Sequence, residues 1–278
     1  GMGGVIAVQQ TPADHQALST QLMAFAGAVR EIVETAHRGA LVYAGGDDVL
    51  AFLPLHTVLD CARALAERFT QTVGATLSVG VVVSHHVEPL SDVLALARAA
   101  ERAAKAVPDK NALAITVSKR SGGDTTVAGS WSRAGGDWAA LDDRLRGFAG
   151  LHRADQIPDG AAYELRALVD RLRDIPDPAT LEPILRSEAQ RILKRKKGGH
   201  GSHDLVPETL AVLNTALDRI AATMPHAFQR GAALARLADE LIVARIFAAA
   251  YDQAAPPTAD DRPAPQAASA QPEVPTHG

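Results

Sequence analysis

The sequence contains one cysteine, Cys61, and this scarcity excludes an internal disulfide and a cysteine-based zinc site. Cys61 lies within an apolar helical pattern, so we expect it to fill a small space in the core.

Long hydrophobic runs are also lacking. No segment has the apolar length that spans a bilayer, and no basic region followed by an apolar one opens the chain. These absences predict a cytoplasmic protein that has no membrane partner.

Charge of one sign is not in excess either. The 278 residues carry 28 Lys and Arg against 32 Asp and Glu, a formal net charge of −4, so no overall basic field attracts nucleic acid. Any contact with a polynucleotide must therefore be local.

The chain has an ordinary globular composition, with 47% hydrophobic residues, and is long enough for two modest domains, which we favour over one large domain. Gly1 precedes Met2, and we interpret Gly1 as a cloning remnant on a piece of a longer protein.

The most informative stretch, residues 39–54, reads as two short apolar strands joined by a tight turn at residues 44–47. Gly45 and Gly46 supply the positive φ angles that a two-residue hairpin turn demands. Asp47 and Asp48 follow, and hard cations such as Mg²⁺ are held by one or two carboxylates plus the phosphates of a substrate. A solvated turn is the competing interpretation, since Gly and Asp are ordinary turn residues. The apolar flanks predict strands buried in a sheet centre, where paired carboxylates are costly unless they hold cations.

Helical and strand patterns alternate around this hairpin. Residues 5–8 are a candidate short strand, and Asp14 is a candidate helix cap. Apolar spacing predicts helices at residues 15–37, 57–70 and 89–106. Residues 75–84 predict an interior strand covered on both faces, and residues 112–118 predict a last strand. The fold class predicted is α+β: a ferredoxin-like, nucleotidyl-cyclase-like palm of antiparallel strands packed on helices, followed by a C-terminal helical bundle.

Composition gives the predicted domain bounds. Residues 1–13 are an N-terminal remnant that holds the candidate for a truncated first strand, and residues 14–120 form the palm. A linker rich in Gly, Ser and Thr at 121–136 leads to a helical domain at 137–251, in which prolines separate the helices. The last segment, 252–278, is rich in Ala, Pro and Gln, so it cannot bury enough apolar surface to fold and is expected to be a disordered tail.

Three stretches resemble a known family: residues 43–55 with the Gly-Gly-Asp-Asp motif, residues 77–86 with 89–90, and residues 101–105 together with 111–113. They are similar to the palm of the large subunit of type III CRISPR effector complexes, and to its Cmr-type branch in particular. The resemblance covers roughly residues 14–120. The helical part is similar only in kind to the C-terminal helical domain of that family.

The resemblance implies a palm that joins ATP molecules into cyclic oligoadenylate, an antiviral second messenger, once target RNA is bound. It implies that Asp47 and Asp48 are the catalytic residues and hold Mg²⁺ or Mn²⁺. By position it also implies a nucleotide-binding set of Gly45, Gly46, Lys105 and Ser78. The lysine would face the triphosphate, and the glycines would admit the nucleotide close to the backbone. The implied partners are other subunits of a type III ribonucleoprotein, with guide and target RNA contacted indirectly.

The residues agree with this chemistry independently, because phosphoryl transfer asks mainly for positioning and charge neutralisation by two metals about 3.5–4 Å apart. Two adjacent carboxylates can begin such a site. The family's acidic residue on the first palm strand is missing here, as are its N-terminal palm-like and nuclease regions. We therefore expect the chain alone to bind metal or nucleotide weakly and to make little product.

Several weaker signals remain. His85 and His86 are either metal ligands or base contacts near the hairpin, or a plain polar strand end, which we favour. The dipeptide His203-Asp204 is similar to a phosphohydrolase metal motif, but it and His200 lack companion ligands, so we discount them.

The basic run at residues 194–197 suits a solvated helix end better than a grip on RNA phosphates. Nearby arginines are candidates for contacts with a partner subunit: Arg186, Arg191 and Arg195.

Two alternatives stay open. A diguanylate cyclase has a similar hairpin, but its motif continues with Glu and Phe, whereas Asp48 and Val49 stand here. A scaffold whose helices dock small helical subunits of a ribonucleoprotein is an alternative of a different class, and the Ala-rich run at residues 232–250 would suit such docking.

Overall fold

The computed structural model describes residues 2–119, 122–131, 138–158, 160–172, 178–195, 207–224 and 229–254. The helices of these ranges are α1 (Met2–Ala7), α2 (Pro12–Arg30), α3 (Val58–Val73), α4 (Leu90–Ala106), α5 (Leu141–Arg153), α6 (Ala161–Leu172), α7 (Pro178–Arg195), α8 (Pro207–Ala222) and α9 (Gln229–Ala254). The strands are β1 (Ala40–Gly45), β2 (Asp48–Phe52), β3 (Val79–Val83), β4 (Ala112–Val117) and β5 (Thr125–Ser130). The predicted α+β class with a helical C-terminal part is confirmed.

The first residues do not form the predicted strand. Helix α1 ends at Ala7, and α2 begins after Thr11, whose side chain accepts a hydrogen bond from the Asp14 N–H at 3.2 Å. The Asp14 carboxylate accepts one from the Thr11 N–H at 3.0 Å, so Asp14 completes a capping box rather than serving as the cap itself. A short helix pairs its own backbone groups, which a strand without a neighbour cannot do. A π-helical turn, Glu31–Ala36, continues α2 towards the hairpin.

The strands form two sheets rather than one. Strands β1 and β2 are an antiparallel pair, and the second sheet has the order β3-β4-β5, with β3 parallel to β4 and β4 antiparallel to β5. The expectation of an all-antiparallel sheet is therefore wrong. Strand β3 is an edge strand and only partly covered, although its run of valines predicted an interior position. Its sequence gives the apolar character of the strand, but only the pairing with β4 decides which strand lies at the edge.

Strand β5 lies within the range predicted to be a linker. Its residues alternate between buried and more exposed positions from Thr125 to Ser130, and Thr116 and Thr126 share a hydrogen bond of 2.9 Å between their hydroxyls across β4 and β5. Small polar residues on both faces hid this alternation in the sequence. Strand β4 is therefore not the last strand, and its residues are buried throughout because it is central.

One hydrophobic cluster joins the three-stranded sheet to the helices that follow. It contains Leu59 of α3, Leu113 and Ile115 of β4, and continues through Phe148 of α5 to Phe247 of α9. A second cluster packs α2 and α3 under the hairpin and includes Cys61, which is fully buried as expected. The larger cluster crosses the predicted boundary between the palm and the helical domain, while the division into domains itself stays a prediction.

A buried ion pair lies where the sheet meets the helices. Arg144 of α5 is 2% exposed at its side chain and Glu240 of α9 is 0% exposed. Arg144 Nε donates to Glu240 Oε2 at 2.6 Å and Nη2 donates to Oε1 at 2.9 Å, while Nη1 donates to the Ala139 carbonyl at 2.6 Å. Arg236 adds a bond to the same carboxylate at 3.3 Å and donates to the Ala128 carbonyl of β5. The network therefore ties α5, α9 and β5 together.

A second set of ion pairs links α3 to α5. Arg63 Nε donates to Asp142 Oδ2 at 2.7 Å, and Arg63 Nη2 donates to Asp143 Oδ1 at 2.9 Å. Arg146 pairs with Asp60 one turn away. Since α3 directly follows the hairpin strand β2, these pairs connect the hairpin side of the molecule to the helical part.

Some predicted features lie partly or wholly outside the described residues. Helix α9 includes residues 252–254 of the predicted tail, and residues 255–278 lie outside the described residues. Lys196, Lys197, His200, His203 and Asp204 lie outside them as well. None of the described helices has the length and apolar content needed to cross a bilayer.

We predict that Glu240→Gln lowers the free energy of unfolding by about 3 kcal/mol or more, because Arg144 would remain buried without its counter-charge. Urea unfolding followed by circular dichroism measures the change. The control is Glu188→Gln, since Glu188 pairs with Arg191 at the surface and its loss should cost at most about 1 kcal/mol. Equal losses in the two variants would contradict the prediction.

We predict that Cys61 resists alkylation in the folded protein. Burial, with a smaller contribution from Asp60, raises the pKa of the Cys61 thiol to about 11, so the reactive thiolate is scarce at pH 8. Mass spectrometry after iodoacetamide treatment should find Cys61 unmodified in buffer and fully modified in concentrated guanidinium chloride. Rapid labelling of the native chain would show that the site opens.

Candidate functional site

The turn of the hairpin consists of Gly46 and Asp47, one residue later than predicted. Gly45 and Asp48 face each other as the last pair of the antiparallel ladder. Gly46 has a φ of 63°, a left-handed value that favours glycine, while Gly45 is not among the residues with positive φ. The prediction that both glycines supply positive φ is therefore wrong for Gly45.

Gly45 is needed for a different reason: the Tyr43 side chain approaches its Cα too closely for a Cβ to fit. The side chain of Tyr43 lies over Gly45, so that a Cβ at Gly45 would overlap with the Tyr43 hydroxyl. Glycine thus lets the tyrosine ring lie against the end of the hairpin, next to the turn. The sequence singled out the two glycines but assigned no role to Tyr43.

The hairpin has a core face and an open face, and a β-bulge at Val42 decides which residues lie on each. Leu41 pairs with Ala51, but Tyr43 pairs with Leu50, so β1 carries one extra residue between them. The core face consists of Leu41, Ala44, Val49 and Ala51, which pack on the cluster of α2 and α3. The open face carries Tyr43, Gly45, Asp48, Leu50 and Phe52. Strict alternation from Leu41 would have buried Tyr43 and put Ala44 outside.

Glu34 stabilises the irregular part of β1. Its Oε1 accepts a hydrogen bond of 3.3 Å from the Leu41 N–H, beside the bulge, and the same carboxylate is held by Arg30 at 2.9 Å. A backbone group next to a disrupted ladder would otherwise lack a protein partner. The π-helical turn that carries Glu34 brings the carboxylate to this position.

The two carboxylates lie at the tip of the hairpin. Asp48 is exposed on the open face and Asp47 is half-buried in the turn. Within the part of the chain that the structure describes, neither carboxylate takes part in a hydrogen bond or an ion pair. Two free carboxylates at a solvent-facing edge fit Mg²⁺ or Mn²⁺, which accept a few protein oxygens and fill the remaining positions with water or phosphate. In the same described ranges, no group of three or more His, Cys, Asp or Glu side chains has the arrangement of a metal site.

Lys105, to which the resemblance assigned the triphosphate, feels the charge of these carboxylates, while its role in nucleotide binding stays a prediction. Its Nζ pairs with Glu101 Oε1 at 2.5 Å, one turn back along α4. The hydrogen bond that Lys105 donates to Glu101 contributes most to the raised pKa of Lys105, and the negative charges of Asp48 and Asp47 add to it. The lysine therefore stays charged in the field of the hairpin tip. Its pair with Glu101 is largely exposed, so exchange for a phosphate partner would cost little.

Ser78 lies at the same end of the second sheet as Lys105. Its hydroxyl donates to the Lys110 carbonyl at 2.7 Å, just beyond the end of α4. In the described structure this hydroxyl supports the loop before β4, while its role in nucleotide binding stays a prediction.

His85 and His86 follow the other end of β3. Their rings lie 4.4 Å apart between centroids and are exposed. The five-residue strand β3 lies between Ser78 and His85 and spans roughly 15 Å at about 3.3 Å per residue. The pair thus follows the end of β3 opposite Ser78, and a metal or base contact by His85 or His86 stays a prediction beside the plain polar strand end that we favoured.

The basic residues of the helical part are described only in part. Arg191 pairs with Glu188, which leaves a partner-subunit role for Arg191 as a prediction. Helix α7 includes Lys194 and Arg195 and ends at Arg195. A role in RNA binding for the run at 194–197 stays a prediction.

Comparisons with known proteins place the first part of the chain in context. Residues 1–114 match the family model of the Cas10/Cmr2 second palm domain. Over 121 residues the chain is 40% identical to the CRISPR system Cmr subunit Cmr2 of Pyrococcus furiosus, an alignment that covers 40% of this chain and 14% of that protein. The chain thus spans a small part of the length of the curated relative. The resemblance stated from residues 43–113 is confirmed.

We predict that Gly46→Ala destabilises the chain by about 1 kcal/mol or more, because alanine is strained at a φ of 63°. Gly27→Ala is a matched control: Gly27 lies within α2 and has open space around its Cβ position, so alanine should stabilise that helix by roughly 0.5–1 kcal/mol. Urea unfolding measures both. Changes of the same sign would contradict the assignment of strain to the turn.

Proposed function

We propose, from the premise that this chain carries a second palm domain of the Cas10/Cmr2 family, that its hairpin tip binds ATP with divalent cations. In the intact protein, the palm would convert ATP to cyclic oligoadenylate. The observation that carries the proposal is the arrangement at the tip. Asp47 and Asp48 lack protein partners in the described structure, and Lys105 lies in their field with a raised pKa.

The charges suit a triphosphate bound with metal. Asp47 and Asp48 would hold the cations, and Lys105 would leave Glu101 to contact a terminal phosphate. Gly45 is covered by the Tyr43 side chain, but Gly46 has open space where a Cβ would stand, so phosphate oxygens can approach the backbone of the turn there. When bound, the divalent cations would neutralise the charge that develops on the phosphate in phosphoryl transfer.

The reaction supported by this site is transfer of a nucleotidyl group. A ribose hydroxyl of one ATP attacks the α-phosphorus of another, a phosphodiester bond forms, and pyrophosphate leaves. The chain's own residues orient the triphosphate and supply charge, and no side chain of the described site is placed as a covalent nucleophile. Because no third His, Cys, Asp or Glu joins the two carboxylates in a metal-binding group among the described residues, the chain alone should make little product.

The comparison also suggests which partners this chain would have. The relative is named as a subunit of a CRISPR Cmr system, and we propose that this chain belongs to a protein that likewise assembles with other subunits. Guide and target RNA would be contacted through those subunits. The diguanylate cyclase and scaffold alternatives become outcomes of the tests below.

We predict that the wild-type chain binds ATP weakly in the presence of Mn²⁺, and that the double variant Asp47→Asn, Asp48→Asn lowers this affinity roughly tenfold or more, because the metal-bound triphosphate loses both anionic ligands. Isothermal titration calorimetry measures the affinity. Titration with GTP in parallel tests the alternative of a guanylate-using enzyme, which would bind GTP more tightly than ATP.

The control double variant is Glu208→Gln, Asp218→Asn, which removes two exposed carboxylates of α8 and so makes the same change in net charge. It should leave ATP binding unchanged. Equal affinities of the wild type and the Asp47, Asp48 variant would overturn the nucleotide role and favour the scaffold alternative.

A further inference from the structure

We infer that Tyr43 is the platform on which the base of the bound nucleoside triphosphate stacks. This inference rests on the proposed function, because it extends the same site from the triphosphate to the nucleoside. The bulge at Val42 puts the tyrosine on the open face of the hairpin, two positions along β1 from Gly45, the cross-strand partner of Asp48.

The position along the hairpin separates the base from the phosphates. Two residues of a strand span about 6.5 Å, so a triphosphate held at Asp47, Asp48 and Lys105 would extend its nucleoside over the next open-face pair. That pair is Tyr43 and Leu50. An aromatic ring beside an aliphatic side chain offers no charge to a phosphate, but it suits the flat face of a base.

The surroundings of the ring leave it available. Tyr43 is 56% exposed, and its hydroxyl has no hydrogen-bond partner among the described residues. A bulky aromatic side chain in the middle of a strand normally packs into a core, and regular alternation from Leu41 would have put Tyr43 there. The bulge turns it outward, Glu34 satisfies the backbone beside the bulge, and Gly45 leaves space for the ring.

Stacking accepts every base because each has a π-face, so Tyr43 would strengthen binding of ATP and GTP alike. The tyrosine therefore recognises a nucleoside as a class, and a preference for adenine must come from other contacts. Inorganic triphosphate, which has no base, would gain nothing from the ring.

The test compares Tyr43→Leu, Tyr43→Phe and the control Phe52→Leu, which removes another half-exposed aromatic ring from the far end of the same face. Calorimetry with Mn²⁺ gives the affinity of each variant for ATP, GTP and inorganic triphosphate. We expect Tyr43→Leu to weaken ATP and GTP binding roughly tenfold and to leave triphosphate binding unchanged. Tyr43→Phe and Phe52→Leu should match the wild type, and circular dichroism checks that each variant folds.

The outcomes separate this inference from the proposed function. Equal weakening of ATP and triphosphate binding by Tyr43→Leu would overturn the stacking role, as would no weakening while the Asp47, Asp48 variant still loses ATP. A weakening by Phe52→Leu of the same size would show a general effect of the apolar face and would also overturn it. Absence of ATP binding by the wild type would overturn both the stacking role and the proposed function.

Discussion

The buried pair of Arg144 and Glu240 is the interaction on which the arrangement of sheet and helices depends. Two ions removed from water are tolerable only when each is paired and its remaining hydrogen-bonding groups are satisfied. Here Arg144 uses its guanidinium on a carboxylate and on backbone carbonyls, and Arg236 reaches both the carboxylate and β5. The pair therefore fixes how α5 and α9 meet the three-stranded sheet.

Helix α3 connects this packing of sheet and helices to the hairpin. Arg63 and Asp60 of that helix pair with Asp142, Asp143 and Arg146 of α5, while the opposite side of α3 packs under the hairpin through Cys61 and its neighbours. The carboxylates at the hairpin tip are thus supported by a rigid path of packed helices. Such support limits displacement of the tip, which favours any site whose work depends on positioning.

Two local backbone features determine which residues lie on the open face of the hairpin. The left-handed Gly46 closes the turn so that Gly45 and Asp48 become partners, and the bulge at Val42 moves Tyr43 from the core face to the open face. One apolar face anchors the hairpin, and the other carries a carboxylate, a glycine and an aromatic ring in a row. The combination explains why a short two-stranded sheet can be both well packed and chemically available.

Much of the candidate site could be predicted from the sequence because its signals are local. Diglycine next to paired aspartates specifies a hairpin and a charge cluster within four residues, and the spacing of apolar residues specifies the helices on both sides. The misplaced features depend on pairing at a distance. Neighbouring strands settle three features that the local sequence pattern does not specify. These are the end of β3 that faces Lys105, the position of β3 at the centre or the edge of its sheet, and the formation of β5 from a stretch rich in Gly, Ser and Thr.

The sequence by itself determined the α+β class, the hairpin with its acidic tip, the helical C-terminal part and the resemblance of the palm, since each rests on short-range periodicity or on a compact motif. Only the tertiary structure decided that Tyr43 faces outward, that His85 and His86 follow the end of β3 opposite Ser78, and that Arg144 is buried against Glu240. The physical reason is that a bulge, a strand order and a buried ion pair arise from contacts between residues far apart in the chain, whose cost and gain appear only when the elements pack together.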